Sequence, residues 1–210
     1  RPVYIAWLAT NAFIPLLLII SCFSNFLFEW VTQKGVMVAY FTLMGLLTLP
    51  AAISFVLELV VLYRNWCIIQ DGRASTTPGR AVWFQFIPLF NLYWMFKAYW
   101  GLARDNNRYI EHYFSSKPEL RVRRSKPGLA LASIIFNLAG SILVGFIAWI
   151  VLLIAFYASV SSDGGTQIQT ASQIIVYMEM GFGLIDWLLI TLMVIDLYRS
   201  GDSILQGEQS

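Results

Sequence analysis

The sequence predicts an all-α integral membrane protein that forms a single membrane domain over residues 1–210. Hydrophobic residues make up 58% of the chain and charged residues 12%, with a mean hydropathy of +0.66, whereas soluble domains average about a quarter charged residues. Apolar runs long enough to cross a bilayer, which takes about 20 residues, recur along the chain. The fold class that follows has four transmembrane helices, plus one re-entrant or interfacial helical hairpin between the second and third spans, with both termini cytoplasmic.

The four transmembrane helices are predicted at residues 3–30, 36–64, 128–160 and 170–198. Pro15 and Pro50 lie inside the first two helices, where neighbouring helices or side chains can satisfy the carbonyls that a proline frees. The first run is too long for the apolar region of a signal peptide and has no small-residue cleavage site, so we expect a retained span. Because the chain begins at Arg1 without an initiator Met, we also expect an upstream, soluble segment to be missing.

Basic residues in the connections predict the orientation of the spans, because Lys and Arg in short loops stay in the cytoplasm. The connection at 32–35 carries only Lys34, and the one at 161–169 carries no basic residue. Both stretches that flank the middle apolar segment are basic: Arg64, Arg73, Arg80; and Arg104, Arg108, Lys117, Arg121, Arg123, Arg124, Lys126. The two flanking stretches are therefore expected to share the cytoplasmic side.

The middle segment, predicted as re-entrant or interfacial over residues 81–115, contains the sequence FQFIPLFNLYWMFKAYWG. Pro88 removes a backbone donor, and the side chain of Asn91 can bond a freed carbonyl, so the hairpin break is expected at these two residues. After the break, polar residues from Lys97 to Glu111 recur at helical spacing and aromatic residues fall on the other face. The alternative is a fifth full span, which would place the second basic stretch outside.

The box PGRAVWFQFIPLFNLYWMFKAYWGLARDNNRY resembles the central signature of uncharacterised bacterial multi-span membrane proteins that carry a domain-of-unknown-function label. The residues that carry the resemblance are Pro78, Gly79, Phe86, Ile87, Pro88, Asn91, Tyr93, Trp94, Tyr99, Trp100, Gly101, Arg104 and Asp105. The resemblance implies a bacterial inner-membrane, multi-pass protein with two spans on each side of the box. It implies no activity.

Two acidic residues on the last span are candidate functional groups, because ionisable side chains inside a membrane are costly. Glu179 and Asp186 are seven residues apart, with Gly183 on the same face and Ser172 extending it. One interpretation is a path for protons or cations. The other, which we favour, is that each acid is bonded to a polar residue of a neighbouring helix and fixes the packing.

Glu58 and Lys97 are predicted to form a buried tie between the second span and the hairpin. Glu58 lies six residues before Arg64 and so at a depth of about 9 Å. The re-entrant arrangement places Lys97 at a similar depth. Asp196, near the end of the last span, is expected to pair with Arg199.

A stripe of small and weakly polar residues on the third span is expected to pack against another helix. Its members are Ser133, Asn137, Ser141 and Gly145. Just before this span, the patch Arg121, Arg123, Arg124 and Lys126 is expected to contact anionic lipid headgroups or a partner, at about 1 kcal/mol per basic residue. Nothing beyond charge supports nucleic-acid binding, so none is expected.

No catalytic set, cofactor or metal site is predicted. Cys22 and Cys67 lie on opposite sides of the membrane in this topology, His112 is the only histidine, and no Ser/His/Asp or Cys/His combination can be assembled. We therefore expect a non-enzymatic structural or accessory subunit, or scaffold, that contacts membrane lipids and other membrane subunits or further copies of itself. The alternative is a small transporter or an ion or proton conduit that uses Glu179 and Asp186. An intramembrane enzyme acting on lipid would need a nucleophile or metal that the sequence does not offer.

Overall fold

The computed structural model describes residues 1–20, 37–115, 120, 122–161 and 165–209, and every secondary-structure element in these ranges is helical. The α-helices are α1 Pro2–Asn11, α2 at 14–20, α3 Met37–Ile68, α4 Pro78–Trp83, α5 Phe90–Met95, α6 Gly101–Phe114, α7 Pro127–Ser161 and α8 Gly165–Gln209. A 3₁₀ turn, Phe84–Phe86, follows α4, and a π-helical turn, Phe96–Trp100, joins α5 to α6.

Four stretches of these helices are long and apolar enough to cross a membrane: Pro2–Ile20, Thr48–Ile68, Pro127–Tyr157 and Gln173–Gln209. The expected all-α class and the expected number of span-length apolar helices are thereby confirmed for the described residues. The end of the first predicted span, residues 21–30, lies outside them, as do Cys22 and Lys34.

The first span is interrupted by a turn at residues 12–13, between α1 and α2. The cause is Pro15, which has no N–H to donate to the carbonyl of Asn11. That carbonyl instead accepts a hydrogen bond from the indole Nε1 of Trp187 at 3.0 Å. A side chain of another helix therefore satisfies the acceptor that the proline frees, as helices in lipid require.

The last helix is longer than its predicted span, because α8 continues to Gln209 instead of ending at Tyr198. The extension carries charges, but one of its faces is buried: Ser200 and Ile204 are fully buried. Gly201 and Gly207 permit close approach to Asn65 of α3 and Phe114 of α6. Packing against these helices stabilises the extension, which hydropathy alone could not predict.

The chain divides into two compact units. The first unit comprises residues 1–9, 53–135 and 188–210; the second comprises residues 10–52 and 136–187. The core of the first unit includes the fully buried side chains of Trp7, Trp66, Leu102, Ile134 and Ile204. In the second unit, the rings of Phe136 and Phe182 stack with centroids 5.1 Å apart.

Candidate functional site

The aromatic segment, residues 78–100, lies in the first unit and begins with a capped helix. The side-chain oxygen of Thr77 accepts a hydrogen bond from the backbone N–H of Arg80 at 3.5 Å, and Pro78 occupies the first turn of α4. Both features are typical of a helix N-terminus. The chain therefore starts a new helix at Pro78 rather than continuing as a loop.

The helical course of the aromatic segment is interrupted at residues 87–89, beside Pro88 and Asn91. Leu89 has a φ of 63°, and a positive φ costs a non-glycine residue about 1–3 kcal/mol. The bond that the structure gives Asn91 runs from its backbone N–H to the carbonyl of Ile87 at 2.9 Å. The turn is thus closed by the backbone, whereas the sequence predicted a bond from the Asn91 side chain.

Three aromatic rings hold the two sides of this break together. Phe84 contacts Trp94 edge-to-face with centroids 4.7 Å apart, and Phe90 stacks on Trp94 at 5.4 Å. The Nε1 of Trp94 and the Oδ1 of Asn91 are buried, and neither has a hydrogen-bond partner within the part of the chain that the structure describes. Two buried polar atoms beside the break thus make no hydrogen bond among the described residues.

The outer edge of the aromatic segment exposes large apolar side chains, which we call the aromatic rim. Leu89 is 83% exposed and Trp83 is 71% exposed. The rim consists of Trp83, Phe86, Ile87, Leu89, Phe90, Leu92 and Tyr93. Exposed apolar side chains of this size and number indicate contact with lipid or with another protein.

The inner face of the segment is attached to α3 by two hydrogen bonds. The indole Nε1 of Trp66 donates to the carbonyl of Ala98 at 3.0 Å. The hydroxyl of Tyr99 donates to Oε1 of Glu58 at 2.8 Å. Burial, followed by the neighbouring Glu58 carboxylate, raises the pKa of the Tyr99 hydroxyl well above its ordinary value. The hydroxyl therefore keeps its proton and remains a donor.

The expected ion pair between Glu58 and Lys97 is not among the ion pairs of the described residues. Tyr99 makes the link to Glu58 instead. The π-helical turn at Phe96–Trp100 changes the side-chain register relative to an α-helix. As a result, Tyr99 faces α3 and is buried, while Lys97 stays half-exposed.

Asp105 connects the two basic stretches that flank the aromatic segment. Its Oδ2 accepts a hydrogen bond from the backbone N–H of Ser75 at 2.7 Å, and its Oδ1 lies 3.3 Å from Arg108. The Asp105 side chain is 6% exposed, so this bond to a charged acceptor is a strong one. The loop before α4 and the start of α6 are held directly against each other.

A reciprocal pair of bonds ties α6 to the residues that precede α7. The backbone N–H of Ser125 donates to Oδ1 of Asn107 at 2.8 Å, and Nδ2 of Asn107 donates to the carbonyl of Ser125 at 3.0 Å. Tyr109, two residues further along α6, donates its hydroxyl to Glu208 at 2.6 Å. Burial and the bond to Glu208 raise the pKa of Tyr109. These bonds attach the polar helix α6 both to the residues that precede α7 and to the end of α8.

The predicted basic patch before α7 is divided by its contacts. Asp196 accepts from Arg123 at 3.2 Å and from the backbone N–H of Lys126 at 2.6 Å. Asp196 is thus paired with this stretch, whereas the sequence predicted a pair between Asp196 and Arg199. Arg124 lies 3.7 Å from Glu111 with both side chains exposed, a contact worth little. Arg121 lies outside the described residues.

The two acids of the last span have different surroundings in the second unit. Asp186 is half-buried, and its Oδ2 accepts a hydrogen bond from Nδ2 of Asn137 at 2.9 Å. Glu179 is exposed. A Cβ added at Gly183 would lie 3.1 Å from Leu18, so this glycine allows a close helix contact. The side chain of Ser172, which was expected to extend this stripe, lies outside the part that the structure describes.

The stripe on α7 is likewise divided. Ser133 is buried, and its hydroxyl contacts the carbonyls of Leu129 at 2.9 Å and Leu189 at 3.1 Å. Ser141 and Gly145 are exposed. The packing role expected for the whole stripe is thus seen at Ser133 and at Asn137, but not at its other two members.

Sequence reasoning missed the residues that attach the aromatic segment to its surroundings, chiefly Trp66 and Tyr99. The available signal was chemical, because a buried Trp or Tyr needs a partner for its polar tip.

Among the described residues there is no group of three or more His, Cys, Asp or Glu side chains that could hold a metal ion. No family model, curated protein or solved structure matches the chain.

Proposed function

We propose that this chain is a non-enzymatic structural or accessory subunit of a larger assembly in the inner membrane of a bacterium. The observation that carries the proposal is the aromatic rim, with Leu89 83% and Trp83 71% exposed. Seven large apolar side chains of this segment are exposed. A membrane partner with its own apolar helix face fits this surface.

The bond between Ser75 and Asp105 supports a re-entrant or interfacial aromatic segment. These residues belong to the two basic stretches, and their atoms are 2.7 Å apart. A hydrocarbon core about 30 Å thick has no room between them. The bond therefore favours both stretches lying on one side of the membrane, which is the cytoplasmic side by the distribution of basic residues.

The ion pair between Arg1 and Asp202 extends this layout to both ends of the described chain. Their side chains approach to 3.4 Å. An N-terminal and a C-terminal position in contact favour the same side of the membrane for both.

Cysteines introduced at the exposed positions Ser75 and Ser115, in a background without Cys22 and Cys67, should react with a membrane-impermeant reagent from the same side. Reaction from opposite sides would contradict the topology.

Internal hydrogen bonds of the polar side chains support a structural role for them. Asp186 is bonded to Asn137, Glu58 to Tyr99 and Ser133 to a carbonyl of α8. Each of these groups ties two elements together within one unit. Such bonds typically contribute about 1 kcal/mol between membrane helices.

The proposal is tested by removing apolar surface from the rim without touching the core. We expect the variant Trp83→Ser, Leu89→Ser, Tyr93→Ser to fold normally and to lose a stoichiometric partner during co-purification in mild detergent, as detected by mass spectrometry.

A matched control removes equally exposed apolar side chains from α7 through the substitutions Trp149→Ser, Ile154→Ser and Tyr157→Ser. The control should keep the partner. Equal partner loss in both variants, or no stoichiometric partner with the unmodified chain, would contradict the proposal.

One observation favours the alternative function, a proton or cation conduit. The Oδ1 of Asp186 is buried and has no hydrogen-bond partner among the residues that the structure describes, so it could accept a proton or contribute to cation binding. Glu179, the second acid of this hypothesis, is exposed and gives no matching contact.

The double variant Glu179→Gln, Asp186→Asn in proteoliposomes distinguishes the two functions. Lost ion flux with normal folding would favour the conduit. Absence of flux in both the variant and the unmodified chain would favour the structural role.

A further inference from the structure

A cleft of about 120 Å³ opens in the first unit between α1, α3 and the last turns of α8. This volume is several times what one water molecule needs. Four aliphatic side chains line the cleft: Val3, Val61, Ile68 and Leu205. Tyr4 and Tyr198 also line the cleft, with their rings stacked at 3.7 Å and an interplanar angle of 5°. The walls suit a hydrocarbon chain.

The polar lining of the cleft is mainly positive. Arg1 and Arg64 both line it, against one acid, Asp202. Arg1 approaches Asp202 at 3.4 Å, whereas Arg64 takes part in none of the ion pairs found among the described residues. A guanidinium without a carboxylate partner is well suited to a phosphate, which it can bind through two parallel hydrogen bonds.

An apolar wall beneath an arginine is the pattern that an anionic phospholipid requires. The one acid of the cleft, Asp202, already accepts hydrogen bonds at Oδ2 from Arg1 and Gln206, so the cleft favours an anion over a cation. We infer that this cleft is a binding site for an anionic phospholipid, with its phosphate on Arg64 and part of an acyl chain against Val61 and Tyr198, which precede the charged residues on α3 and α8.

The inference is tested on the whole chain in mild detergent, with phosphatidylglycerol and phosphatidylcholine of identical acyl chains as probes and native mass spectrometry as the readout. Phosphatidylglycerol should be retained in preference. Arg64→Gln should weaken its binding about fivefold, the ratio equivalent to roughly 1 kcal/mol for one basic residue near a membrane surface. Arg64→Lys should weaken binding less than Arg64→Gln does, because it keeps the charge but loses the two parallel hydrogen bonds.

Two further variants separate the cleft from general surface charge. Arg80→Gln removes another exposed arginine, which does not line the cleft, and should leave lipid binding unchanged. Leu205→Trp fills the cleft while keeping every charge, and it should reduce phosphatidylglycerol binding as strongly as Arg64→Gln does. Leu205 is 40% exposed, so this substitution does not disrupt the core and remains informative if Arg64→Gln fails to fold.

Several results would overturn the inference. Equal binding of the two lipids would exclude recognition of the negative charge. Equal losses from Arg64→Gln and Arg80→Gln would show diffuse attraction to the basic surface. Displacement of the lipid by inorganic phosphate would identify a free anion as the ligand, and unchanged binding in Leu205→Trp would exclude the cleft.

Discussion

The two units of the molecule bury their side chains in different ways. Among the residues whose burial is described, the large side chains with almost no exposed surface, such as Trp7, Trp66 and Leu102, lie in the first unit. In the second unit the described buried residues of α7 are small, Ala148 and Ala155, while large residues of this helix point outward. The first unit therefore buries several large side chains completely, whereas α7 buries small residues in the second unit.

A membrane environment would account for the small buried residues of α7 in the second unit. Lipid tails are as apolar as leucine, so helices inside a membrane gain little by hiding large apolar residues from them. Small residues at the contact allow close approach, as at Gly140, where an added Cβ would overlap the ring of Phe182. In the first unit, polar and charged elements such as α6 need partners, and buried Trp and Tyr side chains supply both apolar area and donors.

The largest difference is expected from removing one tryptophan in each unit. Trp66→Ala deletes a fully buried ring and its bond to Ala98, which should cost about 3–5 kcal/mol of unfolding free energy. Trp149→Ala removes a ring that is 59% exposed and should cost under about 0.5 kcal/mol. Unfolding of both variants in mixed detergent micelles measures this ratio. Similar losses would show that the two units bury side chains alike.

A smaller effect is expected from enlarging glycines in the second unit. Gly140→Leu forces Phe182 away from α7, and overpacking of this kind costs about 1–3 kcal/mol. Gly145 has no atom within 4 Å of an added Cβ, so Gly145→Leu serves as the matched control and should be neutral. Measuring the thermal stability of both variants tests this prediction. A neutral Gly140→Leu would mean that close helix approach does not stabilise this unit.

The smallest effect sharpens the description of the first unit. Tyr99→Phe removes the hydroxyl that donates to Glu58 at 2.8 Å. Hydrogen bonds to charged groups are worth about 1.5–3 kcal/mol, and we expect a loss near the lower end, about 1.5 kcal/mol. Tyr93→Phe, at a residue that is 57% exposed, should change nothing. Equal stability of the two variants would show that the Tyr99–Glu58 bond does not hold the aromatic segment on α3.

Hydropathy and periodicity were sufficient to predict the helical class, the four spans and the exposed polar face of α6. These features depend on the average character of long stretches, which a single sequence reports well. The end of α8 escaped prediction because its stability comes from tertiary contacts: Ile204 is buried, and Gly201 lies against Asn65. A window of local hydropathy sees only Arg199 and Asp202 there and indicates an end.

Pairing between side chains was harder to predict. The bond that Asp186 accepts from Asn137 was foreseen in kind, because a costly acid inside a membrane helix needs a polar neighbour. The link to Glu58 was assigned to Lys97 on charge, whereas a π-helical turn brings Tyr99 to that position. The same limitation applies to Asp196, which pairs with Arg123, far away in the sequence. Separation along the sequence does not determine which residue becomes the contact partner in the folded structure.

The indole of Trp187 on the carbonyl of Asn11 has a consequence for evolution by single steps. Replacing Pro15 with leucine would add a backbone N–H that can share this oxygen with Trp187, because a carbonyl has two lone pairs. Replacing Trp187 while Pro15 remains would remove the indole donor from that oxygen. A change at Pro15 is therefore expected to precede a change at Trp187, although the two positions lie near opposite ends of the chain.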